Sequence, residues 1–184
     1  MKDIINSHTC IVCGASHDKE SLSLFKIKCH FCGFQRHNSS SNLKKNIPLK
    51  NITLSHLKKF IPYSKSKTVY YEGINNPEML LDTFFVPYTT DHQKIDSIWS
   101  EFTLPFTTDI QSYFTTRYNS LNKDGVLYIS VPVSRYYKTP KPLDHQINFF
   151  KSKNIMFLLE QNGFQMIWRQ SRFSTQLCLI ARKI

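Results

Sequence analysis

An α/β fold is the architecture this sequence predicts: a shortened, mostly parallel sheet of about five strands with flanking helices, preceded by a small cysteine-rich module. Three observations predict it. From residue 67 onward, β-branched and aromatic runs alternate with segments of helical spacing, the pattern of a parallel sheet with helices on its faces. The run Gly125-Val126-Leu127-Tyr128-Ile129-Ser130-Val131 is nearly continuous in apolar residues, which suits a strand buried on both faces. Four cysteines stand in two matching knuckles, Cys10-Ile11-Val12-Cys13-Gly14 and Cys29-His30-Phe31-Cys32-Gly33, with fifteen residues between them.

The knuckles come first in the chain. A C-x2-C pair brings two thiolates onto one metal from a tight turn, and the glycine after each pair supplies a backbone conformation that a side chain would hinder. The spacing is that of a structural zinc site, with Cys10, Cys13, Cys29 and Cys32 as ligands. Four thiolates leave no open coordination position, so the metal is expected to hold the fold and do no chemistry. Disulfide and redox readings are weaker, because Met1 to His8 is polar and no apolar run suggests an exported chain. His8, His17, His30 and His37 read as polar surface residues, and Cys178, inside Leu177-Cys178-Leu179-Ile180, as a small buried hydrophobe.

The remaining elements follow in order. A zinc-ribbon module over 1–37 gives way to the polar stretch His37-Asn38-Ser39-Ser40-Ser41-Asn42, and a linker with a short helix (Leu54 to Ile61, stopped by Pro62) fills 38–66. The α/β domain occupies 67–184. Lys67 to Tyr71 reads as a strand closed by Glu72-Gly73, and Thr83 to Val86 as a second strand stopped by Pro87. Helical spacing is read in Ile95, Ile98, Trp99 and Phe102, and again in Ile110, Tyr113, Phe114 and Tyr118. The strand Gly125–Val131 follows the turn Asn122 to Gly125. A helix over Ser152–Asn162 is capped by Gly163, and Phe164 to Trp168 and Gln176 to Ala181 close the chain as strands.

Bulk composition narrows the function. The 184 residues are 41% hydrophobic, enough for one real core, and no apolar run reaches the length of a membrane span. A cytoplasmic protein is expected. Residues 1–67 hold twelve Lys/Arg against three Asp/Glu, whereas 68–184 hold twelve against ten, so the basic surplus belongs to the cysteine end. Such a surplus can mark a nucleic-acid or anionic-substrate surface; lysine abundance as a coding bias is the alternative, and a nucleic-acid role is the lesser expectation.

From Leu121 onward the chain resembles the C-terminal half of class I S-adenosylmethionine-dependent methyltransferases. Leu121 to Pro132 looks like that family's turn into its fifth strand, Asp144-His145-Gln146-Ile147-Asn148-Phe149-Phe150 like its histidine-and-aromatic segment, and Leu158-Leu159-Glu160-Gln161-Asn162-Gly163-Phe164 like the end of its last helix. Upstream, Asp82-Thr83-Phe84-Phe85-Val86 with Asp91-His92 is similar to the fourth strand and the acidic-His pair after it. The second knuckle looks like that of a zinc-binding branch of the family. The resemblance implies a Rossmann-like sheet, S-adenosylmethionine as cofactor, and methyl transfer to a small molecule or sugar.

One part departs from the pattern. The cofactor turn of the family is rich in glycine, but the matching stretch, Val69 to Asn76, holds only Gly73, and side chains at Ile74 and Asn75 would obstruct a cofactor that needs close backbone approach. Eight residues separate Gly73 from Asp82, too few for a parallel crossover, so the second and third strands are expected to be missing. Glu72 and Gly73 are the candidate cofactor contacts, with a plain turn glutamate as the alternative. Asp91, His92 and His145 are the candidate catalytic groups, because histidine titrates near neutrality and suits a general base; histidines bonded to loop backbone are the alternative. Two functions therefore stand. One is a methyltransferase-like zinc enzyme for a small-molecule substrate, its cofactor half eroded. The other is a non-enzymatic zinc-ribbon module for nucleic acid or a protein partner, including a second copy joined through an open sheet edge.

Overall fold

The computed structural model describes residues 9–16, 22–23, 26–37, 60–63, 68–73, 85–90, 94–134, 145–170 and 175–184. Two sheets organise them. The small one runs β1 (Leu22–Ser23), β2 (Lys26–Lys28), β3 (Gln35–His37) and β8 (Asn148–Phe149), all antiparallel. The large one contains β4 (Val69–Gly73), β5 (Phe85–Pro87), β6 (Ile95–Glu101), β7 (Leu121–Pro132), β9 (Phe164–Arg169) and β10 (Gln176–Lys183), in the order β5-β4-β6-β7-β10-β9. Two α-helices lie between strands: α1 (Ile110–Ser120) joins β6 to β7, and α2 (Ser152–Gln161) leads into β9.

The large sheet is mostly parallel, as expected. The pairs β5–β4, β4–β6 and β6–β7 are parallel, and β10 lies antiparallel between β7 and β9. Five strands thus run one way and one the other, so the described sheet has six strands where the sequence suggested about five.

Three expectations are corrected here. The segment Ile95–Phe102, read as helical, is the central strand β6. Its apparent helical period arises because polar residues share the interior: Ser97, Ser100 and Glu101 are as buried as Ile98 and Trp99. The Ser97 hydroxyl is satisfied by the carbonyl of Thr68 at 2.9 Å, so a serine costs little in a two-sided strand. The segment Thr83–Val86, likened to a fourth strand and stopped by Pro87, is described from Phe85 onward as β5, which pairs on the outer edge of β4, while β6 pairs on the other edge in the position expected of it.

The third correction concerns the missing second strand: β5 fills that place beside β4. It starts at Phe85, so eleven residues lie between it and Gly73, and seven separate Pro87 from Ile95. The start of the expected strand, Thr83–Phe84, and most of the expected short helix, Leu54–Lys59, lie outside the described residues.

Each face of the sheet has its own core. On the α1 and α2 side, Ile98, Leu127, Ile129, Leu177 and Leu179 meet Phe114, Ile155 and Leu158. On the other, the Trp99 and Tyr128 rings stack at 3.6 Å with Phe60 edge-on to both, and Cys178 is fully buried among them, as its apolar context predicted.

The cysteine module is sewn into this core. Cys10, Val12, Cys29, Cys32 and Phe34 belong to the same apolar cluster as Leu104, Phe150 and Ile155. The strand β3 pairs with β8 of the main body, Gln35 opposite Phe149 and Arg36 opposite Asn148. Asn148 then donates to the carbonyls of Leu104 and Thr107 at 3.0 and 2.6 Å, which ties the module to the loop leaving the carboxyl end of β6.

Candidate functional site: a thiolate cluster and the switch-point crevice

The two knuckles are built alike. In the first, Gly14 N–H donates to Cys10 O and Cys10 N–H to Ala15 O, both at 2.8 Å; in the second, Gly33 N–H donates to Cys29 O at 2.8 Å and Cys29 N–H to Phe34 O at 2.9 Å. Gly14 and Gly33 sit at φ +70° and +73°, the left-handed region that glycine enters without penalty. Each knuckle thereby points two sulfurs inward. All four Sγ atoms lie within 4.8 Å of one another, with Cys10–Cys32 and Cys13–Cys29 both at 3.7 Å.

Those distances test the metal. Tetrahedral zinc with Zn–S bonds of about 2.3 Å places its sulfurs about 3.8 Å apart, which the cluster matches, so the four residues fit a structural zinc ion. Their acidities are uneven. Burial holds the Cys10 thiol well above its usual range and that of Cys32 at about 11. Burial also pushes Cys29 up, but hydrogen bonds from the Cys32 backbone and from the Cys32 and Cys13 thiols outweigh it and bring Cys29 to about 7.

A second constellation stands where the chain order reverses, between β4 and β6. Ligands of open α/β sheets bind in the crevice outside the carboxyl ends of such strands. Here β4 brings Tyr71, Glu72 and Gly73, β6 brings Ser100 and Glu101, and α1 brings Tyr113 and Arg117. Asp109 caps α1 by accepting from Ser112 N–H at 2.8 Å, which fixes the helix over this edge.

The crevice groups are paired to one another. Arg117 Nε donates to Glu72 Oε1 at 3.0 Å, and Arg117 Nη2 makes a second, shorter bond to Oε2. The guanidinium lies over the Tyr113 ring at 3.8 Å and near that of Tyr88 at 5.3 Å. Burial works against its charge, but Tyr113 and the Glu72 carboxylate more than compensate and raise its pKa. Burial, reinforced by the Glu72 charge, holds the Tyr113 phenol well above its usual range, so it stays a neutral hydroxyl sharing a hydrogen bond with Ser100 at 2.5 Å. On the opposite face Tyr71 Oη donates to the buried Glu101 carboxylate at 3.4 Å.

This arrangement does not fit S-adenosylmethionine at β4. The glycine there ought to leave room for close approach, yet a Cβ built on Gly73 would collide with the Tyr71 hydroxyl and lie 3.0 Å from the carbonyl oxygen of Glu101. Tyr71 occupies the space. Glu72, the candidate cofactor contact, has both carboxylate oxygens engaged by Arg117.

Of the predicted residues, Cys10, Cys13, Cys29 and Cys32 come together, and Glu72 and Gly73 lie side by side at the switch point. His145 is half-buried at φ +65°, at the start of a segment tied to the β6 loop through Ile147 N–H to Pro105 O, 2.9 Å. Asp91 and His92 lie outside the described residues. Sequence reasoning missed Arg117, Tyr113 and Glu101. The signal for the first was present: Arg117 stands four residues after Tyr113 on the face of α1 that also carries the buried Ile110 and Phe114, and an arginine on a buried face calls for a carboxylate partner.

Comparison with solved structures finds this fold repeatedly. An assigned S-adenosylmethionine-dependent methyltransferase from Listeria monocytogenes superimposes with a TM-score of 0.51 at 14% identity, over 71% of this chain and 96% of that one. A protein of Bordetella parapertussis gives 0.50 at 13%, over 70% and 66%. The [4+2]-cyclase SpnF gives 0.44 at 11%, and this chain spans only 55% of its length. At such identities the likeness is one of fold alone. No protein-family model matches the chain, and no curated protein matches it by sequence.

Proposed function

We propose that the protein is a methyltransferase-like zinc protein on the scaffold of enzymes that methylate a small molecule or sugar, with its own crevice closed to the sulfonium donor. One observation carries this reading: Tyr71 and the Glu101 backbone fill the space beside Gly73, and Arg117 takes up the Glu72 carboxylate. What remains is a rigid, metal-pinned body that works by binding.

Calorimetry and thermal-shift titration with S-adenosylhomocysteine test the proposal directly. The expected result is no heat and no stabilisation. A micromolar dissociation constant, about −8 kcal/mol, would overturn it.

A second reading keeps the reaction, with Glu72 and Gly73 touching the donor and Asp91, His92 and His145 serving the nucleophile. The retained strand order around β4 and β6 favours it. Under that reading the same titration gives binding, and Glu72→Gln weakens it.

A further inference from the structure

We propose that the second knuckle is a contact surface for single-stranded nucleic acid, with Phe31 as the platform on which a base stacks. The inference stands apart from the crevice and does not depend on whether a methyl donor binds there.

The two knuckles are superimposable in pattern but opposite in exposure. The third residue of the first, Val12, is 2% exposed, whereas its counterpart in the second, Phe31, is 80% exposed. Packing against the main body accounts for Val12. A bare phenyl ring at the tip of a metal-pinned turn is rigidly presented and gains nothing from the fold that holds it. Ile11, at the first tip, adds a second partly exposed apolar residue.

Lysines stand close to Phe31 in the knuckle. Lys28 is exposed at the end of the strand that leads into it, and the Lys151 side chain lies against the knuckle, its Nζ 2.6 Å from where a Cβ on Gly33 would be. The described side chains of the module include Lys28 and Arg36 and no acidic group. An exposed aromatic face on a lysine-bearing module suits an unpaired base with its phosphates on lysines. A duplex offers no free base face, which sets it aside. Arg36, the arginine of the module and the residue type that reads base edges best, is already bonded to the Thr108 carbonyl at 2.5 Å. Contact through lysines and one stacked ring is therefore expected to be tolerant of sequence.

The test is fluorescence anisotropy of labelled twelve-nucleotide oligouridylate and oligothymidylate, and of a matching duplex, with the zinc-loaded full chain over a salt series. Single strands should bind more tightly than the duplex, with affinity falling as salt rises. Phe31→Ala should weaken binding about tenfold, within the range found for loss of one base–aromatic stack, while Phe31→Tyr keeps it. Removing Lys28 and Lys151 charge as glutamines should lower the salt slope by about 1.4, at roughly 0.7 per phosphate contact. Because Phe31 is exposed, the alanine variant should retain zinc content and melting temperature, so a loss of binding reports the surface itself. Four results would overturn the proposal: no binding, binding indifferent to Phe31→Ala, displacement by polyglutamate as effective as by unlabelled oligouridylate, or sedimentation showing that Phe31 joins two copies of this chain.

Discussion

Asn154 and Cys32, 122 positions apart, share a buried hydrogen bond: the Asn154 side-chain amide donates to the Cys32 carbonyl at 3.2 Å. The same side chain accepts from Lys151 N–H at 2.6 Å, one of the free donors at the start of α2. The helix that closes the main core therefore begins on the backbone of one of the four clustered cysteines.

Removing Asn154 should be felt on both sides of that junction. Asn154→Ala leaves the buried Cys32 carbonyl and the part-buried Lys151 N–H without their partner, at a cost of about 1 to 3 kcal/mol, and the loss should appear in urea unfolding followed by circular dichroism. Retention of wild-type stability would show that water satisfies both groups.

Stripping the metal should lower the stability of the whole chain and not of the module alone. Cys10, Cys29 and Cys32 share one apolar cluster with Leu104, Phe150 and Ile155, and metal binding that organises a site contributes to folding. Chelation with EDTA should give one cooperative transition at a lower temperature by calorimetry. Two separate transitions would mean the module folds independently.

Zinc loading should also release protons in a pH-dependent number. Cys10 and Cys32 are raised above neutrality and still hold their protons at pH 8, whereas Cys29, at about 7, has largely lost its own. At least two protons should leave per zinc at pH 8. Below pH 7 Cys29 is protonated too, so the count rises by one and affinity falls more steeply with acid. Titration calorimetry in buffers of different ionisation enthalpy measures that count.

The sequence made the knuckles and the strands β7, β9 and β10 legible because each rests on local chemistry: fixed cysteine spacing, or apolar runs bounded by turns. It misled at β6. There Ser97, Ser100 and Glu101 are buried polar residues satisfied across strands and by α1, so their positions mimic the solvent face of a helix. The crevice was half visible: Glu72 and Gly73 stood out by resemblance, but the partners that close it, Tyr71, Glu101 and Arg117, meet only through tertiary packing. The β4–β5 pairing was hidden by a rule about crossover length that a short strand evades.

The tightness at Gly73 makes a sharp prediction. Gly73→Ala must displace the Tyr71 hydroxyl or shift the Glu101 backbone, and forcing a methyl group into a packed site costs about 1 to 3 kcal/mol. Combining it with Tyr71→Ala, which vacates the space, should destabilise by less than the sum of the two single changes. Additive losses in a double-mutant cycle would show that Tyr71 moves aside freely, and that the crevice is not closed by this residue.

Arg117 and Glu72 offer the last test, because their ion pair is almost out of solvent, with side chains 13% and 9% exposed. Truncating one member of such a pair strands the other charge and typically costs about 3 to 5 kcal/mol, whereas replacing both by apolar groups of similar volume is often neutral. Glu72→Ala leaves the guanidinium on the Tyr113 ring without the carboxylate it is bonded to, and should destabilise strongly. Arg117→Met with Glu72→Leu should recover much of the loss, since the Tyr113 and Tyr88 rings already line the site with apolar surface. If instead the single Glu72→Ala change is neutral in urea unfolding, Arg117 finds other acceptors and the carboxylate is free for a ligand.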